Sequence, residues 1–161
     1  MKRAVPRVAI PRFDSAEQET YLSLWRTFDR LRAVEDEFFA GYELTAQQYN
    51  ALRLLRAAHP DALPTLTLAE RLVSRAPDIT RLVDKLEVRG LIRRERLADN
   101  RRVVHVGITT RGLALLSEIA EPLRACHQRQ LGHLSSSALK QLTRLLHDAR
   151  IPHESDDSIW K

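Results

Sequence analysis

Several features that define other protein classes are scarce in this 161-residue sequence or do not occur in it. It has a single cysteine, Cys126, which excludes an intramolecular disulfide framework and fits a reducing compartment. No run of about 18 apolar residues occurs, so no membrane-spanning helix is predicted. The N-terminal segment MKRAVPRVAIPRFD lacks the uninterrupted apolar core of a secretory signal, and we therefore expect a cytoplasmic protein.

Motifs for enzyme chemistry are also lacking. The sequence contains no HExxH, glycine-rich phosphate loop or GxSxG motif, and its five glycines leave little material for cofactor-binding turns. The six histidines lack zinc-ligand spacing, and Cys126 lies on an apolar helical stripe, where a small buried hydrophobe is expected. We therefore predict no catalytic site, metal or cofactor. The rival class is an enzyme that uses His and Glu in a pocket of unfamiliar pattern.

Positive charge is concentrated in one part of the chain. Residues 71–111 hold eleven Lys and Arg against five Asp and Glu, a local excess of six, whereas the whole chain has a net charge of +5. A basic cluster of this kind is typical of a phosphate-binding surface. The alternative is a basic surface that is merely well solvated.

Apolar spacing and turn signals divide the chain into helices and two strands. HPDALPT is interpreted as a loop, and Pro122 predicts a kink or a split in the long helix. The predicted elements are helices over about 14–40 and 45–58, a short helix from 67, a helix over about 77–89, strands over 91–96 and 103–108, a long helix from 109 or 110, and a last helix from 135.

Capping signals fix several of these boundaries. Thr45 with Gln48 and Thr67 with Glu70 form capping-box signatures, each of which predicts the start of a helix. Gly90 follows an apolar stripe with helical spacing and predicts the end of that helix.

The segment from residue 80 to residue 109 points to DNA. TRLVDKLEVRG is an amphipathic helix with a terminal glycine, and LIRR and DNRRVVHVGIT are two arginine-rich strands around a basic loop. A winged helix-turn-helix has this order: its helix enters the major groove, and its hairpin reaches the backbone or the minor groove. We therefore predict a mainly α fold with a small β-hairpin wing, flanked by N- and C-terminal dimerisation helices.

The predicted organisation has three parts. Residues 1–13 form a flexible arm, residues 14–150 a single domain, and residues 151–161 a mobile tail. Within the domain, the winged helix-turn-helix core covers about 44–110, and the dimerisation helices cover about 14–40 and 110–150. The outer helices exceed what that core needs, so their apolar faces require a partner, and a second copy of the chain is the simplest one.

Four segments together resemble the MarR family of bacterial transcriptional regulators: LTAQQYNALRLL, TLAERL, TRLVDKLEVRGLIRR and DNRRVVHVGITTRGLALL. The resemblance runs from about Leu44 to Leu116. It implies a winged-helix homodimer that binds palindromic operator DNA, more often as a repressor than as an activator. It also implies that release from DNA is often caused by a small molecule or by oxidation.

Candidate DNA contacts lie on the outward face of the helix before Gly90, near its start, and on the hairpin. Arg81 is the candidate for base contact because a guanidinium can bond guanine twice, although an ion pair with Asp84 competes. Ser74, Thr80 and Lys85 would bond phosphate, and Asp78 near the groove would repel phosphate unless it accepts from a cytosine amino group. Arg101 and Arg102 at the wing tip would follow the DNA backbone or enter a narrow minor groove, and Arg94 and Arg96 line the strand that leads there. The full set is Ser74, Arg75, Asp78, Thr80, Arg81, Lys85, Arg94, Arg96, Arg101 and Arg102.

A set of aromatic residues suggests an effector site. Members of the family that this chain resembles commonly bind small, often aromatic ligands between the dimer helices and the DNA-binding lobes. By that resemblance Trp25, Phe28 and Tyr49 would line a pocket, with Arg32 holding an anionic group. The alternative is that these aromatics are core or interface packing, which is their more common role.

Two further rivals keep the fold and change the function. A winged helix used as a protein-interaction module would show no salt-dependent binding to duplex DNA. A sequence-blind DNA-binding protein would bind promoter and random DNA equally.

Overall fold

The computed structural model describes residues 13–74, 78–97 and 100–161. The chain divides into two compact units, Met1–Ala33 and Val34–Lys161. None of the described helices is both long and apolar enough to cross a membrane. The predicted division into an arm, a single domain and a tail stays a prediction.

Mainly helical structure is confirmed, with six α-helices and three strands in the described residues. The elements are α1 (Ala16–Ala40), α2 (Ala46–Ala58), β1 (Leu63–Pro64), α3 (Thr65–Arg71), α4 (Ile79–Val88), β2 (Ile92–Leu97), β3 (Asn100–Ile108), α5 (Thr110–Leu131) and α6 (Ser136–Arg150), followed by a 3₁₀ turn, Ile151–His153.

Three predicted helix starts are confirmed by their caps. The Thr45 side chain accepts from the backbone N–H of Gln48, whose own side chain bonds the Thr45 N–H in return, a complete capping box at α2. Thr109 caps α5 by accepting from the Gly112 N–H, and Ser135 caps α6. In each case a short polar side chain satisfies helix N–H groups that have no partner within the helix.

The end of α4 is confirmed at Gly90. Gly90 has φ +68°, the left-handed conformation that glycine adopts without a Cβ penalty. Its N–H bonds the Glu87 carbonyl at 2.7 Å, and the Leu91 N–H bonds the Leu86 carbonyl at 3.0 Å. This pair of bonds is a Schellman motif, which turns the chain from α4 directly into the sheet.

Two sequence predictions about local structure are wrong, and a third is wrong in one of its two alternatives. Thr67 lies inside α3, which starts two residues earlier after Pro64 and has no side-chain cap. Leu63 and Pro64, interpreted as loop, form β1 and pair with β3, and the Thr65 hydroxyl bonds the Val104 carbonyl at 3.0 Å. Pro122 does not split α5, which is one helix with buried residues on either side of the proline, and the alternative of a kink stays a prediction.

A three-stranded antiparallel sheet in the order β1-β3-β2 forms the wing and its base. Arg94 is opposite Val106 and Arg96 is opposite Val104, with an irregularity between Arg96 and Leu97. Opposite residues of an antiparallel pair point to the same face, so the side chains of Arg94, Arg96, Val104 and Val106 share one face of the sheet.

The core lies in the second unit and joins the end of α1 to α2, α3, α4, the sheet and α5. Phe39, Leu55, Leu86 and Ile119 are completely buried in it. Cys126 is also completely buried and has a free thiol, as the apolar stripe predicted. Full burial in an apolar core stabilises through the area removed from water, at about 25 cal/mol per Å².

The C-terminal residues make ordered contacts with α6. Arg150 pairs with Glu154 at 3.3 Å and donates to the Trp160 carbonyl at 3.0 Å. Ser158 bonds the Glu154 carboxylate at 2.6 Å. The predicted mobility of this tail stays a prediction.

Candidate nucleic-acid interface

The helix α4 has one face in the core and one in solvent. Leu82, Val83 and Leu86 are at most 8% exposed because their i, i+1 and i+4 spacing places them on one side. The opposite side carries four exposed residues: Arg81, Asp84, Lys85 and Val88. A recognition helix needs this arrangement, since its inner face must hold it to the domain while its outer face reads DNA.

Asp78 marks the beginning of α4. Its carboxylate accepts from the Arg81 backbone N–H at 2.9 Å, which makes it the N-cap, and the side chain is exposed. The sequence predicts only that Asp78 lies near the groove; its capping role is a finding of the structure, although an Asp before an apolar helical stripe is a recognisable signal. The carboxylate also interacts favourably with the positive end of the helix dipole.

Arg81 and Lys85 project from the outer face of α4. They are four residues apart, so they lie one helical turn from each other on the same side. In the part of the chain that the structure describes, neither takes part in an ion pair. The competing pair of Arg81 with Asp84 is not formed, because Asp84 pairs with Arg94 instead.

Arg94 on β2 joins the wing to α4 through two carboxylates. Its Nη2 contacts Asp84 Oδ1, and its Nε lies 3.3 Å from Glu87 Oε2. The backbone N–H of Arg94 also donates to Glu87 Oε1 at 3.2 Å. The sequence predicts Arg94 as a DNA contact and gives no sign of these pairs, which link residues seven and ten positions apart.

The other wing arginines have more open positions. Arg96 and Arg102 are exposed, whereas Arg93 lies 3.7 Å from Glu95. Arg102, Arg94 and Thr80 line a cavity of about 320 Å³ between α4, the start of α3 and the sheet. Arg75 and the side chain of Arg101 lie outside the part of the chain that the structure describes.

Polar side chains of α2 hold the segment after α3. Gln47 donates to the Ser74 hydroxyl at 3.2 Å, and the buried Asn50 side chain accepts from the Val73 N–H at 2.9 Å. Ser74 is exposed despite this bond. No local signal in the sequence marks Gln47 or Asn50, since their partners lie 27 and 23 residues away.

Arg89 fastens the other end of α4. Its guanidinium donates to the backbone carbonyls of Glu43 at 2.5 Å and Tyr42 at 3.1 Å, in the turn that follows α1. Nη2 also lies 3.9 Å from Glu43 Oε2. A planar guanidinium suits this geometry because its N–H groups form a fixed fork.

The residues predicted to hold an effector lie in both units. Trp25 and Phe28 are each 61% exposed on α1, and Arg32 on the same helix is also exposed; all three belong to the first unit. Tyr49 in the second unit is half-buried, and its ring centroid lies 4.9 Å from that of Phe39. In the described residues, no group of three or more His, Cys, Asp and Glu side chains could hold a metal ion.

A helix-turn-helix made of α3 and α4, followed by an arginine-rich hairpin, defines a winged helix-turn-helix protein. The MarR family model matches residues 44–104. A MarR transcription factor from Planctomyces limnophilus is 57% identical over 84% of this chain and 98% of its own, with a TM-score of 0.68. The chain therefore belongs to the MarR family: it is a DNA-binding transcriptional regulator and not an enzyme.

Two more distant structures share the fold. A MarR family regulator from Streptomyces coelicolor, solved in complex with DNA, is 18% identical over 94% of this chain and 97% of its own, with a TM-score of 0.81. Bordetella bronchiseptica BpsR, described in terms of regulation of its DNA binding by 6-hydroxynicotinic acid, is 23% identical over 91% of this chain and all of its own, with a TM-score of 0.74.

Proposed function

We propose that this regulator is a homodimeric repressor that occupies a palindromic operator. The observation that carries this proposal is the outer face of α4, where Arg81 and Lys85 are exposed beside an arginine-rich wing. Each α4 enters one major groove, and the two half-sites lie about 34–36 Å apart on one side of the duplex. Occupation of a promoter by such a dimer blocks transcription.

The DNA contacts divide by chemistry. Arg81 reads a base, since its guanidinium can bond both acceptors of a guanine. Ser74, Thr80 and Lys85 bond phosphate and fix the register without reading sequence. Arg75, which follows Ser74 in the sequence, is assigned to a phosphate of the DNA backbone.

The wing supplies the second set of contacts. Arg96 is exposed on β2 and Arg102 on β3, and Arg101 is assigned to the same hairpin. These arginines bond the phosphates of the DNA backbone at the edge of a narrow minor groove, where the negative potential is enhanced. Asp78 contributes by starting α4 at the correct residue, so its part in DNA binding is to place Arg81.

Exposed apolar residues support a homodimer. On α1 Tyr21, Trp25 and Phe28 are each more than 60% exposed, and on α6 Leu145 is 53% exposed. No residue of α6 is buried, although its leucines recur at helical spacing. Such faces need to be covered, and a two-fold axis would cover the same faces of both copies.

A small aromatic anion is the effector that would release the protein from DNA. The support is BpsR, a relative whose DNA binding is described as regulated by 6-hydroxynicotinic acid. On α1, Trp25 and Phe28 would contact the ring, and Arg32 would pair with the anionic group. The effector works by favouring a dimer in which the spacing of the two α4 helices no longer matches the groove. We place this regulation in the cytoplasm, where operator DNA is found.

The deciding experiment is fluorescence anisotropy with the DNA that flanks the protein's own gene, against scrambled DNA, over a series of salt concentrations. A specificity ratio of about 10³ or more supports an operator-binding regulator. Equal and steeply salt-dependent binding would instead indicate a sequence-blind DNA-binding protein. No binding at low salt would favour a protein-interaction module.

A further inference from the structure

The outer surface of α4 carries its own negative charges. Arg81 and Lys85 contribute two positive charges to the helix, and Asp84 and Glu87 contribute two negative ones. The helix on its own is therefore neutral, which is unfavourable for an element that must approach phosphates. Asp84 lies on the same exposed side as Arg81 and Lys85, so its carboxylate would repel the DNA backbone if it had no partner.

Both carboxylates are paired with one residue from another element. The Arg94 guanidinium contacts Asp84 through Nη2 and lies 3.3 Å from Glu87 through Nε. The Arg94 side chain is only 29% exposed, whereas the Asp84 side chain is 53% exposed. Partial burial weakens solvent screening of these pairs, so they are stronger than ion pairs at an open surface.

The same residue fixes the direction of the wing. Glu87 accepts from the backbone N–H of Arg94 and pairs with its side chain, so β2 is bonded to α4 along the main chain as well. A phosphate contact by Arg94 would require its guanidinium to leave both carboxylates. Such a move would leave the carboxylates of Asp84 and Glu87 without this partner beside the DNA backbone, where they would repel phosphate.

We infer that Arg94 is a positioning residue: it neutralises Asp84 and Glu87 and sets the wing against the recognition helix, and it makes no contact with DNA. This inference rests on the proposed DNA-binding function. It assigns to Arg94 an effect on specificity that acts through the geometry of α4 and the wing, distinct from the direct contacts assigned to Arg81 and Arg102.

The first test compares Arg94→Met with wild type on operator and on random DNA over a series of salt concentrations. We expect operator affinity to fall by about tenfold or more, which is the size of one charge-assisted interaction. Affinity for random DNA should fall by less, because only the uncovered carboxylates act there. The slope of log K against log salt should not change, because the variant still binds the same number of phosphates. If Arg94 bonded a phosphate in the wild type, the slope would decrease by about 0.9.

A rescue experiment separates charge neutralisation from direct contact. In the Arg94→Met background, Asp84→Asn and Glu87→Gln remove the carboxylates that Arg94 no longer neutralises. Affinity for random DNA should then return to within about threefold of wild type. Affinity that stays low after this change would overturn the inference, since the missing interaction would then be with DNA.

Arg94→Lys is the second variant, for use if Arg94→Met does not fold. Lysine keeps the charge but cannot form the fork that reaches both carboxylates. It should therefore keep the affinity for random DNA and lose affinity for the operator. Equal losses on both DNAs, or no loss on either, would contradict the inference.

Arg93→Met is the matched control, because Arg93 precedes Arg94 on the same strand and is 51% exposed beside Glu95. It should leave the specificity ratio unchanged. Wild-type protein that fails to distinguish operator from random DNA would reject the proposed function, and the inference would be rejected with it. Specific wild-type binding with a reduced salt slope for Arg94→Met would reject the inference alone.

Discussion

The Thr109 hydroxyl donates to the Gly90 carbonyl at 2.7 Å and accepts from the Gly112 N–H at 3.1 Å. The Thr109 N–H also bonds the Leu91 carbonyl at 3.1 Å. One residue therefore caps α5 and at the same time holds the turn that ends α4. Because the hairpin begins immediately after this turn, the position of the wing depends on the start of α5.

Replacing Thr109 by Val keeps the shape of the side chain and removes its hydroxyl. The Gly112 N–H loses its cap, and the Gly90 carbonyl loses its donor, so we expect a loss of about 1–2 kcal/mol in the free energy of unfolding. Thr109→Ser retains the hydroxyl and should cost less than half as much. Urea denaturation followed by circular dichroism measures both, and equal losses for the two variants would disprove the role of the hydroxyl.

Gly112 and Gly90 are required for different physical reasons. A Cβ at Gly112 would overlap the Leu91 carbonyl and lie 2.7 Å from Ile108 Cγ1, whereas a Cβ at Gly90 would make only ordinary contact with the Arg111 side chain, at 3.9 Å. We expect Gly112→Ala to cost about 3 kcal/mol or more through overpacking against backbone. Gly90→Ala should cost about 1–2 kcal/mol, because only its positive φ is unfavourable. Thermal melting of both variants checks the order, and a less stable Gly90→Ala would refute it.

Local signals in the sequence account for most of the element boundaries. Thr45 with Gln48, Ser135 and Gly90 could be identified because each acts on groups within four residues along the chain. Thr67 with Glu70 predicted a helix start at the wrong residue, because the same spacing of residue types also occurs inside helices. A capping motif in the sequence predicts the first residue of a helix only where tertiary contacts do not begin the helix at another residue.

Tertiary contacts account for what the sequence could not predict. Pro64 is unfavourable in a strand interior, yet it pairs with β3 because β1 is a two-residue edge strand. The pairing of Arg94 with Asp84 joins residues from two elements, so exposure and charge along the sequence could not distinguish Arg94 from Arg96. The clustering of arginines in the sequence predicted the basic surface. Only the folded structure shows that Arg94 in that cluster pairs with a carboxylate of the protein.

The bonds from Arg89 to the turn after α1 predict a stabilising role. The Arg89 side chain is 27% exposed and donates to two backbone carbonyls, so Arg89→Met should lower the free energy of unfolding by about 1–2 kcal/mol. Arg93→Met is the control, since its pair with Glu95 is exposed and should contribute less than about 0.5 kcal/mol. Chemical denaturation measures the free energy of unfolding of both variants. An Arg89→Met variant as stable as Arg93→Met would show that the Arg89 hydrogen bonds do not stabilise the turn after α1.

The exposed leucines of α6 predict where a second copy binds. Leu145 is 53% exposed, and a glutamate in its place would bury a charge in the proposed dimer interface. We expect Leu145→Glu to be monomeric at concentrations where wild type is dimeric, without loss of helix content. Lys140→Glu on the same helix introduces the same side chain at an exposed position about 140° around the helix from Leu145, and it should stay dimeric. Light scattering after gel filtration measures the mass of each variant. A dimeric Leu145→Glu would show that Leu145 does not lie in the dimer interface.

Arg81 and Arg102 should affect DNA binding in different ways, because one is assigned to a base and the other to the backbone. Arg81→Ala should cost about 1–3 kcal/mol on the operator and little on random DNA. Arg102→Ala, alone or with Arg101→Ala, should weaken binding to every duplex and reduce the salt slope by about 0.9 for each phosphate that is no longer bound. Anisotropy titrations on both DNAs separate the two effects. Equal losses on operator and random DNA for Arg81→Ala would show that Arg81 bonds phosphate, and an unchanged slope for the wing variants would remove the wing from the interface.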